Sequence, residues 1–120
     1  MDRRIFHIKN KLCCELGRPW SIEDMAREVR MSVQHFRRLF KKDMGKAPNL
    51  FLTELRLEKA REMLSDLSCF LQIKEIAFLV GLTNESHFTK SFKARIGMTP
   101  TAFRSYCSDI GQSRRATENE

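Results

Sequence analysis

The chain is 120 residues long, with 22 Lys and Arg against 15 Asp and Glu and a formal net charge of +7 at pH 7. That length suits one compact domain or two very small lobes and excludes a large enzyme, while 42% apolar and 31% charged residues argue against both a disordered chain and a membrane protein. The positive balance favours a polyanionic partner.

In chain order, apolar residues recur at helical spacing, and an all-α fold of about seven helices is expected. The first helix is predicted from about Arg3 to Leu16, stopped at Gly17-Arg18-Pro19. Trp20 should staple it to the second helix. Ser21 reads as an N-cap with Asp24 three residues on, opening a short helix from Ile22 to about Val29 whose apolar face is Ile22, Met25, Ala26 and Val29. After a break at Arg30-Met31, Ser32 caps a helix reaching Met44, closed by Gly45. Phe36, Leu39, Phe40 and Met44 fall on one side of it. Gln34, Arg37, Arg38 and Lys41, at i, i+3, i+4 and i+7, fall on the other.

Pro48 starts the longest helix, with Leu52, Leu55, Ala60 and Leu64 available for burial. A connector from Ser65 to Gln72 leads to a short helix from Ile73 to Val80, ended by Gly81. Thr83 or Asn84 caps the next, which runs to Ile96 and stops at Gly97, and Thr99-Pro100 opens a last short helix to about Tyr106. The bounds are a domain over 1–107, with a mobile tail at 108–120 because apolar residues there are few.

The strongest signal is internal repetition. FRRLFKKDMGKAPNLF (36–51) laid over FTKSFKARIGMTPTAF (88–103), at an offset of 52, gives six identities: Phe36/Phe88, Phe40/Phe92, Lys41/Lys93, Gly45/Gly97, Pro48/Pro100 and Phe51/Phe103. Upstream, at an offset of 51, Ile22/Ile73, Met25/Ile76, Ala26/Ala77 and Val29/Val80 superimpose the preceding short helix. The chain therefore carries two copies of one unit: short helix, tight turn, longer basic helix, glycine stop, proline-started helix. That is the pattern of a helix-turn-helix, at about 21–44 and again at about 73–97, with a connecting helix at about 48–65 and a last helix at about 99–107. Between Arg30 and Lys46 stand six cations, Arg30, Arg37, Arg38, Lys41, Lys42 and Lys46, against the single acid Asp43.

Other chemistry finds little support. Cys13, Cys14, Cys69 and Cys107 form no C-x-x-C pair, and His7, His35 and His87 lie far apart, so no metal site is expected and the thiols read as reduced and structural. No nucleophile, base and orienting acid share a recognisable spacing, and there is no glycine-rich phosphate loop, so neither an enzyme nor a cofactor is expected. No apolar run could span a bilayer, and MDRRIFHIKNK lacks the apolar stretch of a secretion signal, which points to the cytoplasm, at the nucleoid.

GLTNESHFTKSFKARIGMTPTAFR, from Gly81 to Arg104, resembles the C-terminal signature of the AraC/XylS family of bacterial transcription regulators. SIEDMAREVRMSVQHFRRLFKKDMG and FLTELRLEKAREML extend the likeness from about Arg4 to Tyr106. Leu82 stands where that family often has Phe or Tyr, and the connector from Ser65 to Gln72 is a residue or two longer. The resemblance implies two helix-turn-helix lobes joined by the long helix, with the second helix of each entering double-stranded DNA. It also implies contact with RNA polymerase and a regulatory domain absent from this chain.

An α-helix fits the major groove, where each base pair shows a distinct donor and acceptor pattern. On the helical wheel and the family likeness together, Gln34, Arg37 and Arg38 in the first lobe face the bases. Ser86, Thr89 and Lys90 stand at the corresponding positions in the second, and Glu85 beside them reads either as a base contact accepting from cytosine N4 or as a solvated carboxylate favoured by the helix dipole. Ser32, Lys41, Thr83, Asn84 and Lys93 fall to phosphates. Two such helices would read successive grooves roughly 34 Å apart. The competing reading is a basic helical adaptor docking on an acidic protein such as a polymerase subunit. It predicts no salt-dependent duplex binding.

Overall fold

The computed structural model describes the backbone of residues 1–118 and the side chains of residues 1–110. Among the described residues there are seven α-helices and no strand: α1 (Arg3–Cys14), α2 (Ile22–Glu28), α3 (Val33–Met44), α4 (Pro48–Ser65), α5 (Ile73–Leu79), α6 (Glu85–Ile96) and α7 (Pro100–Glu118). The chain divides into two units, Met1–Arg56 and Leu57 onward, the boundary falling inside α4.

In the first unit, Ile5, Ile8 and Leu12 from α1, Ile22, Met25 and Ala26 from α2, Phe36 and Phe40 from α3 and Leu52 from α4 form one core, with Val29 and Trp20. Local rules start the helices. Ser21 Oγ accepts from the Asp24 N–H at 3.0 Å, and the Ser21 N–H donates to the Asp24 carboxylate at 3.2 Å, a complete capping box. Those bonds hold the Asp24 carboxyl below the usual carboxylate range, with Arg27 adding to the effect. Trp20 is buried as expected, and its indole N–H reaches the Glu15 carbonyl at 2.9 Å. α1 stops at Cys14, short of Leu16, because Glu15 leaves helical geometry while its N–H still bonds to Lys11.

The second unit repeats this plan with Leu57, Ala60 and Leu64 from α4, Ile76 and Ala77 from α5, Val80, Leu82, and Phe88 and Phe92 from α6. The aromatic geometry repeats too. Phe36 and Phe40 lie 5.6 Å apart at 53°, and Phe88 and Phe92 lie 5.8 Å apart at 54°. Phe40 meets Phe51 edge-on at 5.4 Å, as Phe92 meets Phe103 at 5.7 Å. Both longer helices end in a left-handed glycine, Gly45 (φ 81°) and Gly97 (φ 95°), whose N–H bonds back to Lys41 and Lys93. Leu39, Met44, Leu55 and Ile73 are only half-buried at the core margins, whereas Leu57 joins the core unforeseen.

Two expectations need correction. The last helix does not stop near residue 107: α7 continues to Glu118, since no proline interrupts it and a shortage of apolar residues limits burial rather than extension of a helix already nucleated. The mobility expected of 108–120 falls largely on residues whose side chains lie outside the described ones. The four thiols are free, but Cys13 and Cys14 are exposed on α1 rather than built into the core.

Each unit also contains an arginine pin that no periodicity signals. Arg56, 9% exposed on α4, donates from Nε to the Leu16 carbonyl at 3.0 Å and from Nη2 to the Arg18 carbonyl at 2.8 Å. Arg104 on α7 donates to the Leu71 carbonyl at 2.6 Å. Both tie down the loop ahead of the short helix. Burial lowers the Arg56 pKa from its ordinary value, but a guanidinium still stays charged at neutral pH, and its fork reaches the Leu16 carbonyl together with the Arg18 carbonyl, which also accepts from the Trp20 N–H at 2.8 Å. Arg56→Lys, which keeps the charge and loses the fork, is expected to cost about 1–3 kcal/mol in urea denaturation. A loss below about half a kcal/mol would contradict the pin.

Candidate nucleic-acid interface

The two helix-turn-helix turns are built by corresponding hydrogen bonds. The Met31 N–H reaches the Ala26 carbonyl at 3.0 Å, and the Leu82 N–H reaches Ala77 at 2.8 Å. Small alanines, both buried, let the next helix approach closely. The registers then separate by one residue. Ser32 caps α3 directly after Met31, whereas Thr83 intervenes before Asn84 caps α6. Leu82 is buried, so the branched aliphatic residue fills this core position.

On α3, Gln34, Arg37, Arg38 and Lys41 are all exposed, opposite the buried Phe36 and Phe40. None of these four side chains has a hydrogen-bond or ion-pair partner among the described residues. On α6, Glu85, Ser86, Lys90 and Lys93 are exposed and Thr89 is half-buried, again opposite Phe88 and Phe92. Thr83 is exposed in the turn. Each helix thus brings its predicted residues to one face, with Thr89 recessed at the edge.

Ser32 and Asn84 have a structural duty that leaves a donor over. Ser32 Oγ accepts from the His35 N–H at 3.2 Å, and Asn84 Oδ1 accepts from the His87 N–H at 3.0 Å. Capping uses oxygen lone pairs, so the serine hydroxyl proton and the asparagine amide N–H groups remain available to a phosphate oxygen. At the far end of α3 the strip's one acid, Asp43, accepts from the Asp2 backbone N–H at 3.0 Å.

Several cations elsewhere are paired with acids. Lys11 pairs with Glu28 at 2.6 Å, Arg27 with Asp24 at 3.3 Å, Lys59 with Glu62 at 3.6 Å, Arg61 with Glu58 at 2.8 Å, Arg4 with Asp2 at 3.2 Å, and Lys46 with Glu54. The Lys11 ammonium holds the Glu28 carboxyl below its ordinary value, and the Arg4 guanidinium does the same for Asp2. Arg37, Arg38 and Lys41 have no such partner. A face whose cations are unmatched within the molecule can take anions from outside it, at the cost only of displacing counterions.

The two faces differ in charge. α3 has no acid in its first turn and three cations on its exposed face, whereas α6 opens with Glu85 and carries Lys90 and Lys93. Among the described residues no helix is long and apolar enough to cross a membrane.

Residues 25–106 match a family model described as a helix-turn-helix domain. Over 103 residues the chain is 30% identical to the HTH-type transcriptional regulator MtrA of Neisseria gonorrhoeae, which covers 86% of this chain and 34% of that one. A solved transcriptional regulator from Chromobacterium violaceum, described by its AraC-type DNA-binding domain, matches at a TM-score of 0.76 and 27% identity over 88% of this chain and 92% of its own. The DNA-binding domain of AdpA, solved in complex with a target DNA, shares the fold at a TM-score of 0.80 and 22% identity, over 85% of this chain and 90% of its own. The chain spans about a third of the length of the curated relatives it matches.

Proposed function

The chain belongs to the AraC family of helix-turn-helix transcription regulators, and from that premise we propose that it binds double-stranded DNA sequence-specifically through α3 and α6 to regulate transcription. The observation that carries the reading is the unmatched, exposed set Gln34, Arg37, Arg38 and Lys41 on α3, repeated in position by Ser86, Thr89, Lys90 and Lys93 on α6. Arginine offers guanine O6 and N7 a bidentate fork, and glutamine suits adenine N6 and N7. Ser86 and Thr89 offer hydroxyls to either base type, and Glu85 accepts from cytosine N4. Ser32, Lys41, Thr83, Asn84 and Lys93 hold phosphates and set the register of each helix in its groove.

Contact with RNA polymerase and a role as activator or dual regulator are the finer part of this proposal, as is control by a further domain of the longer relatives. The DNA partner would place the protein at the nucleoid. Transcription in vitro from a template carrying the bound site, with and without the chain, tests the polymerase contact directly.

Selection of binding sites from a random duplex pool at near-physiological salt, followed by titration of the winning site against scrambled DNA, tests the central claim. A shared motif with two information-rich blocks is expected. Affinity should fall steeply with salt, log K declining by about 0.9 per log unit of salt for each phosphate engaged. Equal, weak binding to every duplex would overturn the claim and favour the basic adaptor docking on a protein.

A further inference from the structure

We propose that Arg30, together with Arg3, forms a clamp for one backbone phosphate of the bound DNA, beside the first recognition helix. The inference rests on the DNA-binding reading and adds a site to it.

The internal repeat supplies the comparison. The turn between the two helices of each motif passes through one left-handed residue, Arg30 (φ 57°) in the first unit and Gly81 (φ 90°) in the second. Each stands just ahead of the residue whose N–H closes the turn on an alanine carbonyl. At positive φ a β-carbon crowds the following carbonyl, so glycine is the unstrained choice, and the second unit uses it. Arg30 is the only non-glycine residue with positive φ among the described residues. A side chain held in such a conformation points to a demand other than folding.

Packing is not that demand, because Arg30 is exposed and has no acid partner among the described residues. It lines an open cleft with Arg3, Arg4, His7, Glu28 and Val29. The single carboxylate there, Glu28, is engaged by Lys11 at 2.6 Å and faces His7 at 3.6 Å. Arg4 is engaged by Asp2 through both Nε and Nη2, at 3.2 Å each. Arg3 and Arg30 therefore face the cleft with no carboxylate left to answer them.

The group that fits this pair is an anion with several oxygens, since a guanidinium fork matches a phosphate edge with two parallel hydrogen bonds. Location selects the phosphodiester of DNA. Arg30 lies two residues ahead of Ser32, the N-cap of α3, and a recognition helix enters the major groove by its N-terminal end. Phosphates line the walls of that groove. An anion between Arg3 and Arg30 would relieve their mutual repulsion, and the backbone strain at position 30 would be the structural cost of placing the clamp there.

The test is Arg30→Gly, with Arg3→Ala beside it. Glycine should raise the thermal midpoint by a few degrees, because it removes the strain. At the same time it should weaken binding to the selected duplex about fivefold at 0.15 M salt and reduce the slope of log K against log salt by about one. Arg3→Ala should show a similar loss of affinity and slope without the gain in midpoint. Arg30→Gly with raised midpoint and unaltered duplex affinity and slope would overturn the clamp while leaving the DNA reading intact. A fall in midpoint would show Arg30 to be a folding residue and would overturn it too. If inorganic phosphate raises the wild-type midpoint, loses that effect in Arg30→Gly, and the duplex slope is unaltered, the site takes free phosphate and the assignment to DNA fails. Wild-type protein that prefers no duplex would overturn the DNA reading itself, and the clamp with it.

Discussion

Arg38→Ala is expected to weaken binding to the selected duplex by about 1–3 kcal/mol, roughly 5- to 150-fold, and to relax discrimination at one base position. Lys90→Ala, at the corresponding place in the second unit, should cost less. Arg38 is exposed on a helix face with Gln34, Arg37 and Lys41, with no acid in the first turn of α3, and its planar fork can hold a guanine by two bonds. Lys90 is a single point charge on a face that opens with Glu85, whose carboxylate offsets the positive end of the α6 dipole where DNA would approach. Thr89 beside it is half-buried and has less freedom to reach a base edge. Titration of both variants against the selected and scrambled duplexes measures the difference. A larger loss from Lys90→Ala would overturn the ranking of the two units.

Phe40→Ala should cost about 3–5 kcal/mol of stability. Phe40 is fully buried on α3, its ring 5.6 Å from Phe36 and 5.4 Å edge-on to Phe51, so truncation loses the transfer free energy of the ring and opens a cavity among groups fixed by α1 and α2. At roughly 0.05–0.15 kcal/mol per residue, a unit of this size has about 3–8 kcal/mol in all, so one change would consume most of it. Circular dichroism in urea should show the first unit unfolding early. Phe40→Leu, which keeps most of the volume, should lose less. DNA binding should fall with the fold, because the core face of α3 orients the opposite face. A cost below about 1 kcal/mol would contradict the packing.

The starts and stops of the helices were readable because each depends on neighbours three or four residues away. Ser21 with Asp24, Ser32 with His35 N–H, Asn84 with His87 N–H, and the left-handed Gly45 and Gly97 are local bonds or local backbone choices. The arginine pins were not readable, since Arg56 reaches back 38 and 40 residues and Arg104 reaches back 33. In a pattern of apolar spacing, a buried arginine looks like a solvated one. The run of α7 past residue 107 was misread because sparse apolar content was taken as an absence of helix.

The sequence by itself determined the all-helical class, the duplicated unit, the caps and stops, and the faces of α3 and α6 on which the candidate DNA contacts lie. Those follow from short-range hydrogen bonding and from a periodicity that any helix must obey. Only the tertiary structure decided which cations are matched by acids, that Asp43 is occupied by the start of α1, that Thr89 is recessed, and that Arg3 and Arg30 share a cleft. The reason is that pairing and burial depend on residues brought together across tens of positions, and charge along a sequence does not reveal which charges are already spent within the fold.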